Sequence, residues 1–347
     1  LSDLGRFTIG TDPYANQKLD IAPKELIDAS VKTMDAAHLF ADRITKRSIG
    51  HVDYSWDYLK HVFRRLVTGD STTDEIRREL IERLEDYNDE NTKMLKVDEL
   101  NILSGNKSVE AAYRAAIALE KELCKDRICE DYISMVLILS EYCVYKHVYD
   151  LQKHTGYAFP VDGYKNVVAS VNRAYEDHMS FVENYADQLF GEIDLIVSEA
   201  GYTLNGFAVG KPDIEEAINY MGYSITRLYH TETTDLNNEA QSDVAETVNI
   251  KYYKYITERD SKVCELCRAL EGKEFRYIDR EVGKNFPPIH PNCRCQHAFM
   301  LKAVSIEHIR KMTEIDNRLY NIVPDSMDFA EWLYAWGIEV EFDGWFL

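Results

Sequence analysis

The chain has 347 residues, with 40 Lys and Arg against 60 Asp and Glu, and so a formal charge of −20. Its 45% hydrophobic and 12% aromatic content supports a sizeable core, which excludes global disorder, and the length suits two domains, or one large and one small. No run of eighteen apolar residues occurs, so no transmembrane helix is expected, and −20 excludes a protein that coats nucleic acid, because phosphate binding needs Lys and Arg to displace counterions.

The first residue is Leu1 rather than Met, so residues upstream are expected. No signal peptide is expected either, since Asp3, Asp12 and Asp20 interrupt any apolar stretch. Residues 24–47 place Ile27, Val31, Met34 and Ile44 at near-helical spacing, and residues 53–68 do the same with Leu59, Val62, Phe63 and Leu66 before a stop at Gly69. A further helix is expected to start at Thr73 or Asp74, with Ile76, Leu80, Leu84 and Tyr87 as its apolar stripe. Residues 131–152 are apolar nearly all round, the pattern of a helix buried in a bundle. Val168, Val171, Tyr175, Val182, Tyr185, Leu189, Ile193 and Ile196 then predict a long amphipathic helix, antiparallel to its predecessor.

Gly, Asn and Pro in residues 201–212 read as a loop and a domain boundary, with Asp213 and Ser224 capping a short and then a longer helix to about Glu246. Residues 250–256 are aromatic and β-branched and predict a strand. Gly272 and Gly283 punctuate two further extended pieces. A faint echo between residues 95–103 and 228–236 has too few identities to indicate a duplication. The fold class is therefore α+β: a mostly helical N-terminal bundle over 1–205, a small metal-stapled α+β module over 206–300, and an acidic, aromatic tail over 301–347.

Four of the seven cysteines crowd into residues 264–295, which favours a metal site over a disulfide framework and fits synthesis in a reducing cytoplasm. Cys264 and Cys267 form a C-x-x-C knuckle, and His290, Cys293 and Cys295 form an H-x-x-C-x-C cluster. Structural zinc takes four tetrahedral ligands from thiolate and imidazole, so five candidates compete for four places, and either Cys293 or Cys295 can stand beside His290. Gly272, the alternating Phe275–Ile278 stretch and Pro287–Pro288 supply the hairpin that brings the two clusters together. A strip this small has little core of its own, so the metal would supply much of its folding free energy.

A catalytic zinc would need an open position and a nearby proton carrier. The deaminase pattern is absent, because Pro291 and Asn292 follow His290, and no H-E-x-x-H helix occurs. A small zinc-containing nuclease is the alternative reading, with His297 and Asp260 as its thin catalytic parts.

The arrangement Asp260-x-x-x-Cys264-x-x-Cys267, Leu270-x-Gly272-x-x-Phe275 and Pro287-Pro288-x-His290-Pro291-Asn292-Cys293-Arg294-Cys295 resembles the Mu protein F-like minor head proteins, the head-morphogenesis proteins of tailed bacteriophages. Upstream, Arg227, Thr231, Glu232, Asn238 and Ala240 resemble that family's Arg-Thr-Glu…Asn-x-Ala helix. The chain departs from it at His230, where Arg is usual, and at Tyr255, where Trp is frequent. The resemblance covers about residues 213–300. It implies a non-enzymatic virion protein, made in the host bacterial cytoplasm and present in few copies at the portal vertex or inner capsid. It further implies contact with the portal or major capsid protein during procapsid assembly, and weak DNA contact during packaging or ejection.

Residues 256–300 hold eight Lys and Arg and seven Asp and Glu, so this segment is near neutral and suits a protein contact better than a nucleic-acid one. A basic stripe of Arg43, Lys46, Arg47, Lys60, Arg64 and Arg65 is the other candidate for DNA, or else a solvated helix face. In the tail, Asp325 or Ser326 caps a helix that ends at Gly337, with Phe329, Trp332, Leu333 and Trp336 on one stripe. Ile338, Val340 and Phe342 alternate with Glu339 and Glu341 as a strand would. This tail either folds back over its own chain or docks on a partner, with Asp325, Asp328, Glu331 and Asp343 among the acids that would select a basic surface.

Overall fold

The helical periodicities become long, continuous helices. A computed structural model describes residues 7–11, 20–21, 24–84, 108–160, 163–258, 260–316, 319–340 and 342–346. The expectations at Asp3, Asp12, Tyr87, residues 95–103 and Glu341 lie outside these.

Helix α1 is Lys24–Thr68, α2 is Thr73–Arg83, α3 is Val109–Thr155, α4 is Gly163–Glu199 and α5 is Leu204–Thr247. The two expected segments 24–47 and 53–68 are thus a single helix. Helix α2 begins with a capping box in which Glu75 N–H donates to Thr72 Oγ1 (3.2 Å) and Thr72 N–H donates to Glu75 Oε2 (2.8 Å). Ile76, Leu80 and Leu84 are buried, as their spacing requires.

The 201–212 loop is a correction. Helix α4 ends at Glu199 and α5 restarts at Leu204, so only a tight turn with Gly201 and Tyr202 at positive φ separates them, and Pro212 lies inside α5. Thr203 caps the new helix by accepting from Gly206 N–H at 3.0 Å. The glycines serve close approach rather than a loop. A Cβ on Gly206 would sit 2.0 Å from the Ala200 carbonyl oxygen, and one on Gly210 would sit 2.6 Å from Ile196 Cγ2. Asp213 and Ser224 accordingly cap nothing, and a boundary at 205/206 falls within the first turn of α5.

The chain divides instead into two compact units. One comprises Ile44–Tyr132 and Asp177–Thr226, the other Leu1–Arg43, Ile133–Glu176 and Arg227–Leu347. Within the first, Arg114 pairs with Asp194 (3.2 Å) and Lys121 with Asp187 (2.9 Å), so α3 and α4 run antiparallel, as expected. Phe207 stacks on Phe63 at 4.3 Å. Buried Glu120 is held by Arg83, and Asp131 gathers Arg47, His51 and Ser48. Three members of the expected basic stripe are engaged by acids: Arg47 by Asp131, Lys60 by Asp57 and Arg65 by Glu79. That weakens its claim as a DNA surface.

The second unit holds the strands. Strands β1 (Thr8–Gly10), β7 (Leu319–Ile322) and β6 (Glu314–Asp316) form one sheet in that order. Strands β2 (Asp20–Ile21), β5 (Gln296–Lys302), β3 (Tyr252–Ile256) and β4 (Glu274–Arg276) form the other. Residues 296–301 of β5 are all buried, paired antiparallel with β3 from Ile256↔Gln296 to Tyr252↔Met300. The interior side of α5 is polar and partly satisfied: Gln241 donates to Ser30 at 2.9 Å and Asn237 meets His147 at 3.0 Å, while Asn237 Nδ2 and Gln241 Oε1 are buried without a partner among the described residues. In this part of α4 the apolar stripe is displaced by one residue from the expected one. Val167 and Ala174 are buried, and Val168 and Tyr175 exposed.

The C-terminal tail packs on its own unit. Helix α6 is Glu265–Leu270, α7 is Ala303–Thr313, α8 is Phe329–Trp336 and α9 is Asp343–Phe346. Asp328, not Asp325 or Ser326, caps α8 in a second capping box with Glu331, and Gly337 ends it at φ 68°. Trp332 donates its indole N–H to Gln152 Oε1 (2.8 Å), and Phe346 stacks on Tyr142 at 3.8 Å. Lys153 donates to the carbonyls of Pro324 and Met327, both at 2.8 Å. Among the described residues of the expected strand at 338–342 none is in a strand. Residues 338–340 are irregular, no neighbouring edge pairs with them among the described residues, and Phe342 is buried. The tail is core, so the docking expectation is withdrawn. No helix among the described residues is long and apolar enough to cross a membrane.

Candidate metal centre

Two short turns present the donors. After β3, Cys264 caps α6 and accepts the Cys267 N–H at 3.4 Å, which fixes the knuckle so that both sulfurs face one point. The chain returns through Gly272, at φ 73°, whose N–H donates to the Tyr255 carbonyl at 2.9 Å. After β4 a loop leads to the second turn, in which Cys293 N–H donates to the His290 carbonyl at 3.1 Å. Asp260 and Arg294 tie the two turns together through a 2.6 Å ion pair.

The five expected donors fall into two adjoining groups. Cys264 Sγ lies 3.1 Å from His290 Nε2, Cys267 Sγ lies 3.5 Å from the same nitrogen, and Cys267 Sγ lies 3.8 Å from Cys293 Sγ. Two overlapping groups share Cys267. In one it joins Cys264 and His290, in the other Cys293 and Cys295, with the ligand atoms of each group within 4.8 Å of one another. A tetrahedral zinc site, with Zn–S about 2.3 Å and Zn–N about 2.0 Å, sets S···S edges near ~3.8 Å and S···N edges near ~3.5 Å. The donor set and spacing fit a divalent metal. None of the seven cysteines is in a disulfide; Cys124, Cys129 and Cys143 lie apart, and burial pushes their thiols up.

The His290 ring is set for coordination. Its Nδ1 meets the Pro291 carbonyl at 2.9 Å, and a carbonyl can only accept, so Nδ1 carries the proton and Nε2 turns its lone pair to the sulfurs. Hydrogen bonds from Cys267 and Cys295 draw the Cys293 thiol well below its ordinary value, while the same contacts push Cys267 up. Burial opposes ionisation of Cys264, but the Cys267 amide, then the Cys267 and His290 side chains, bring its thiol below the ordinary value. Around the sulfurs, Tyr255, Cys267, Cys293 and Cys295 form a small buried cluster with Val263, Leu270, Phe275 and Ile289 against it. Tyr255 directs its hydroxyl at Cys267 Sγ (3.5 Å).

Helix α5 holds the second turn along its whole length, which spacing of the donors alone does not disclose. Thr231 Oγ1 accepts Asn292 N–H at 2.7 Å, and Thr234 Oγ1 donates to the Cys293 carbonyl. Asn238 is fully committed. Its Nδ2 donates to the Thr234 carbonyl (2.7 Å) and the Cys295 carbonyl (3.1 Å), while its Oδ1 accepts from His297 N–H (3.1 Å) and His297 Nδ1 (2.9 Å). Residues at i, i+3 and i+7 of one helix thus act as an edge strand for 292–297. The sequence resemblance points to Thr231 and Asn238; Thr234 was missed. His230, where Arg is usual, meets Asn292 Oδ1 at 3.1 Å and Asp42 Oδ1 at 2.7 Å, so it still ties this turn to its surroundings.

His297 is not a catalytic base. It is fully buried among Tyr253, Tyr277 and Phe286, and burial holds its ring neutral, far below the ordinary value. Asp260 is occupied by Arg294. The nuclease reading therefore loses both of its residues.

The geometry defines a mostly helical protein carrying a cluster of thiols and one imidazole whose spacing suits a metal ion. Residues 210–298, about a quarter of the chain, match the family model described as Phage Mu protein F like protein. The likeness to that family extends over this segment alone. No curated protein and no solved structure matches the chain.

Proposed function

We propose that the chain is a minor capsid protein of a tailed phage, acting at the portal vertex or inner capsid during procapsid assembly, DNA packaging or ejection. The observation that carries this reading is that the matched segment is the one that holds both donor groups, with α5 locked to them. On this reading the ion is zinc and purely structural, held among Cys264, Cys267, His290, Cys293 and Cys295. The filled sphere then leaves no position for a reacting water.

Residues 206–300 form the head-protein module in this reading, although α5 runs unbroken across its first boundary, with a mostly helical region over 1–205 before it and a tail over 301–347 after it. The partners are the portal protein, the major capsid protein, or both. Contact with DNA is weak and secondary, because the module is near neutral and half of the basic stripe is engaged by acids. The protein is made in the host bacterial cytoplasm and resides in the virion in a few copies.

The test is to purify procapsids from a host in which packaging is blocked. The reading expects the chain in these DNA-free particles at a few copies each, and heads assembled without it to be defective. Its absence from procapsids and mature heads alike would overturn it.

A further inference from the structure

We propose that the groove beside the free edge of β4 binds an extended segment of a partner protein in which acidic and apolar residues alternate. The groove measures about 650 Å³ and lies within one compact unit, between the end of α5, the start of β3 and the turn after β4. Ile250 and Tyr277 line it from the buried side, and Ile278, 78% exposed, lines it from the solvent side. The charge there runs against that of the chain. In a protein of formal charge −20, the groove presents Lys251, Arg276 and Arg280 against one lining acid, Glu246, which Arg280 takes up at 2.8 Å. Lys251 is exposed, and no acid pairs with it among the described residues. Arg276 reaches Asp279 only at 3.7 Å, with both side chains more than half exposed, a pair worth little in water. A further cation, Lys302, lies over the Tyr252 ring at 3.7 Å. Such a lining attracts carboxylates and repels a basic segment.

The backbone adds an edge on which such a segment can dock. Among the described residues β4 borders β3 alone. Tyr255 N–H donates to the Lys273 carbonyl at 2.9 Å and Tyr277 N–H to the Lys251 carbonyl at 3.0 Å. In this antiparallel ladder residues 273, 275 and 277 therefore face β3, and Glu274 and Arg276 turn their N–H and C=O groups outwards. Arg276 belongs to both features, with its amide on the free edge and its side chain lining the groove. A strand added there would be held by main-chain hydrogen bonds, with alternate side chains on the groove side. Two weakly engaged cations and an apolar lining suit the carboxylates of a peptide better than DNA, whose binding is built on many phosphate contacts.

The test uses the full chain and a library of random octapeptides, with the best-enriched peptide labelled for fluorescence anisotropy. Enriched peptides should alternate Asp or Glu with apolar residues, and their binding should weaken as salt rises. In the double variant Lys251→Glu/Arg276→Glu, which changes exposed side chains only, affinity should fall at least about tenfold. Ile278→Asp should weaken binding as well, with circular dichroism showing both variants folded as the parent is. Methylating the peptide's backbone nitrogens at every second residue should abolish binding in one phase and spare it in the other. No enrichment, enrichment of basic or neutral peptides, or binding by both methylated forms would overturn the proposal. So would a folded variant of either kind that binds within about threefold of the parent. Displacement of the peptide by a short duplex DNA, itself dependent on Lys251 and Arg276, would overturn it too, by making the groove a nucleic-acid site.

Discussion

Asn238→Ala should uncouple α5 from the metal-bearing turn. The substitution removes four hydrogen bonds and leaves three buried groups without a partner: the Cys295 carbonyl, the His297 amide and the His297 Nδ1–H. A buried group left unsatisfied costs roughly 1–3 kcal/mol. Even at the lower end, the three together cost about 3–4 kcal/mol, or some two to three decades in the opening equilibrium of this segment. Thr231→Ala is the control. It frees only the Asn292 amide, which sits in an exposed turn, and should cost about 0.5–1.5 kcal/mol. Native-state hydrogen exchange of residues 293–300 in the metal-loaded protein reads the difference directly. Protection in Asn238→Ala within threefold of the parent would mean that the helix merely lies beside the turn, and the account of α5 as its clamp would be wrong.

The remaining predictions concern other parts of the fold. His147 is fully buried, and burial lowers its pKa from 6.5 to about 3. The unfolded chain therefore takes up a proton as pH falls through 6.5 while the folded chain does not until near 3, so stability is full above 6.5 and falls across that window. The slope from this one ring is up to about 1.4 kcal/mol per pH unit, and His147→Gln should remove it from a urea titration series run between pH 6.5 and 4. Gly206→Ala should lower the melting temperature, because the added Cβ meets the Ala200 carbonyl and such overpacking costs about 1–3 kcal/mol. Gly50→Ala, in open space on α1, should raise stability by about 0.5–1 kcal/mol. Trp332→Ala should cost about 3–5 kcal/mol, and truncation after Asn321 should leave the chain poorly soluble; a truncated protein with parental stability would contradict the packing of the tail.

Much of this architecture was legible because its causes are local. Ile76, Leu80 and Leu84 report a helix face by spacing alone, and the two donor turns report themselves by C-x-x-C and H-x-x-C. The errors arise where distant chain decides. Gly206 and Gly210 carry the composition of a loop, but what they serve is contact with Ala200 and Ile196 across the helix pair. Residues 24–68 read as two helices, yet no residue between 47 and 53 breaks the helix; Ser48 spends its hydroxyl on Asp131 instead. Ile338 and Val340 alternate like a strand, but a strand also needs a partner, and no strand among the described residues pairs with 338–340. At the site, the spacing brings the two cysteine and histidine turns into view, but the contribution of Thr234 is not legible. Its partner, the Cys293 carbonyl, lies 59 residues away, and no local pattern links them.

The central claim is that the 264–295 module is stapled by one metal ion in a protein whose helices fold without it. Intact-mass analysis of the purified chain under native conditions tests it most directly. The account predicts a mass increment of one zinc per chain, lost in Cys267→Ser while far-UV circular dichroism retains the helical signal. A metal-free parent protein, with Cys264 or Cys267 found in a disulfide, would contradict it.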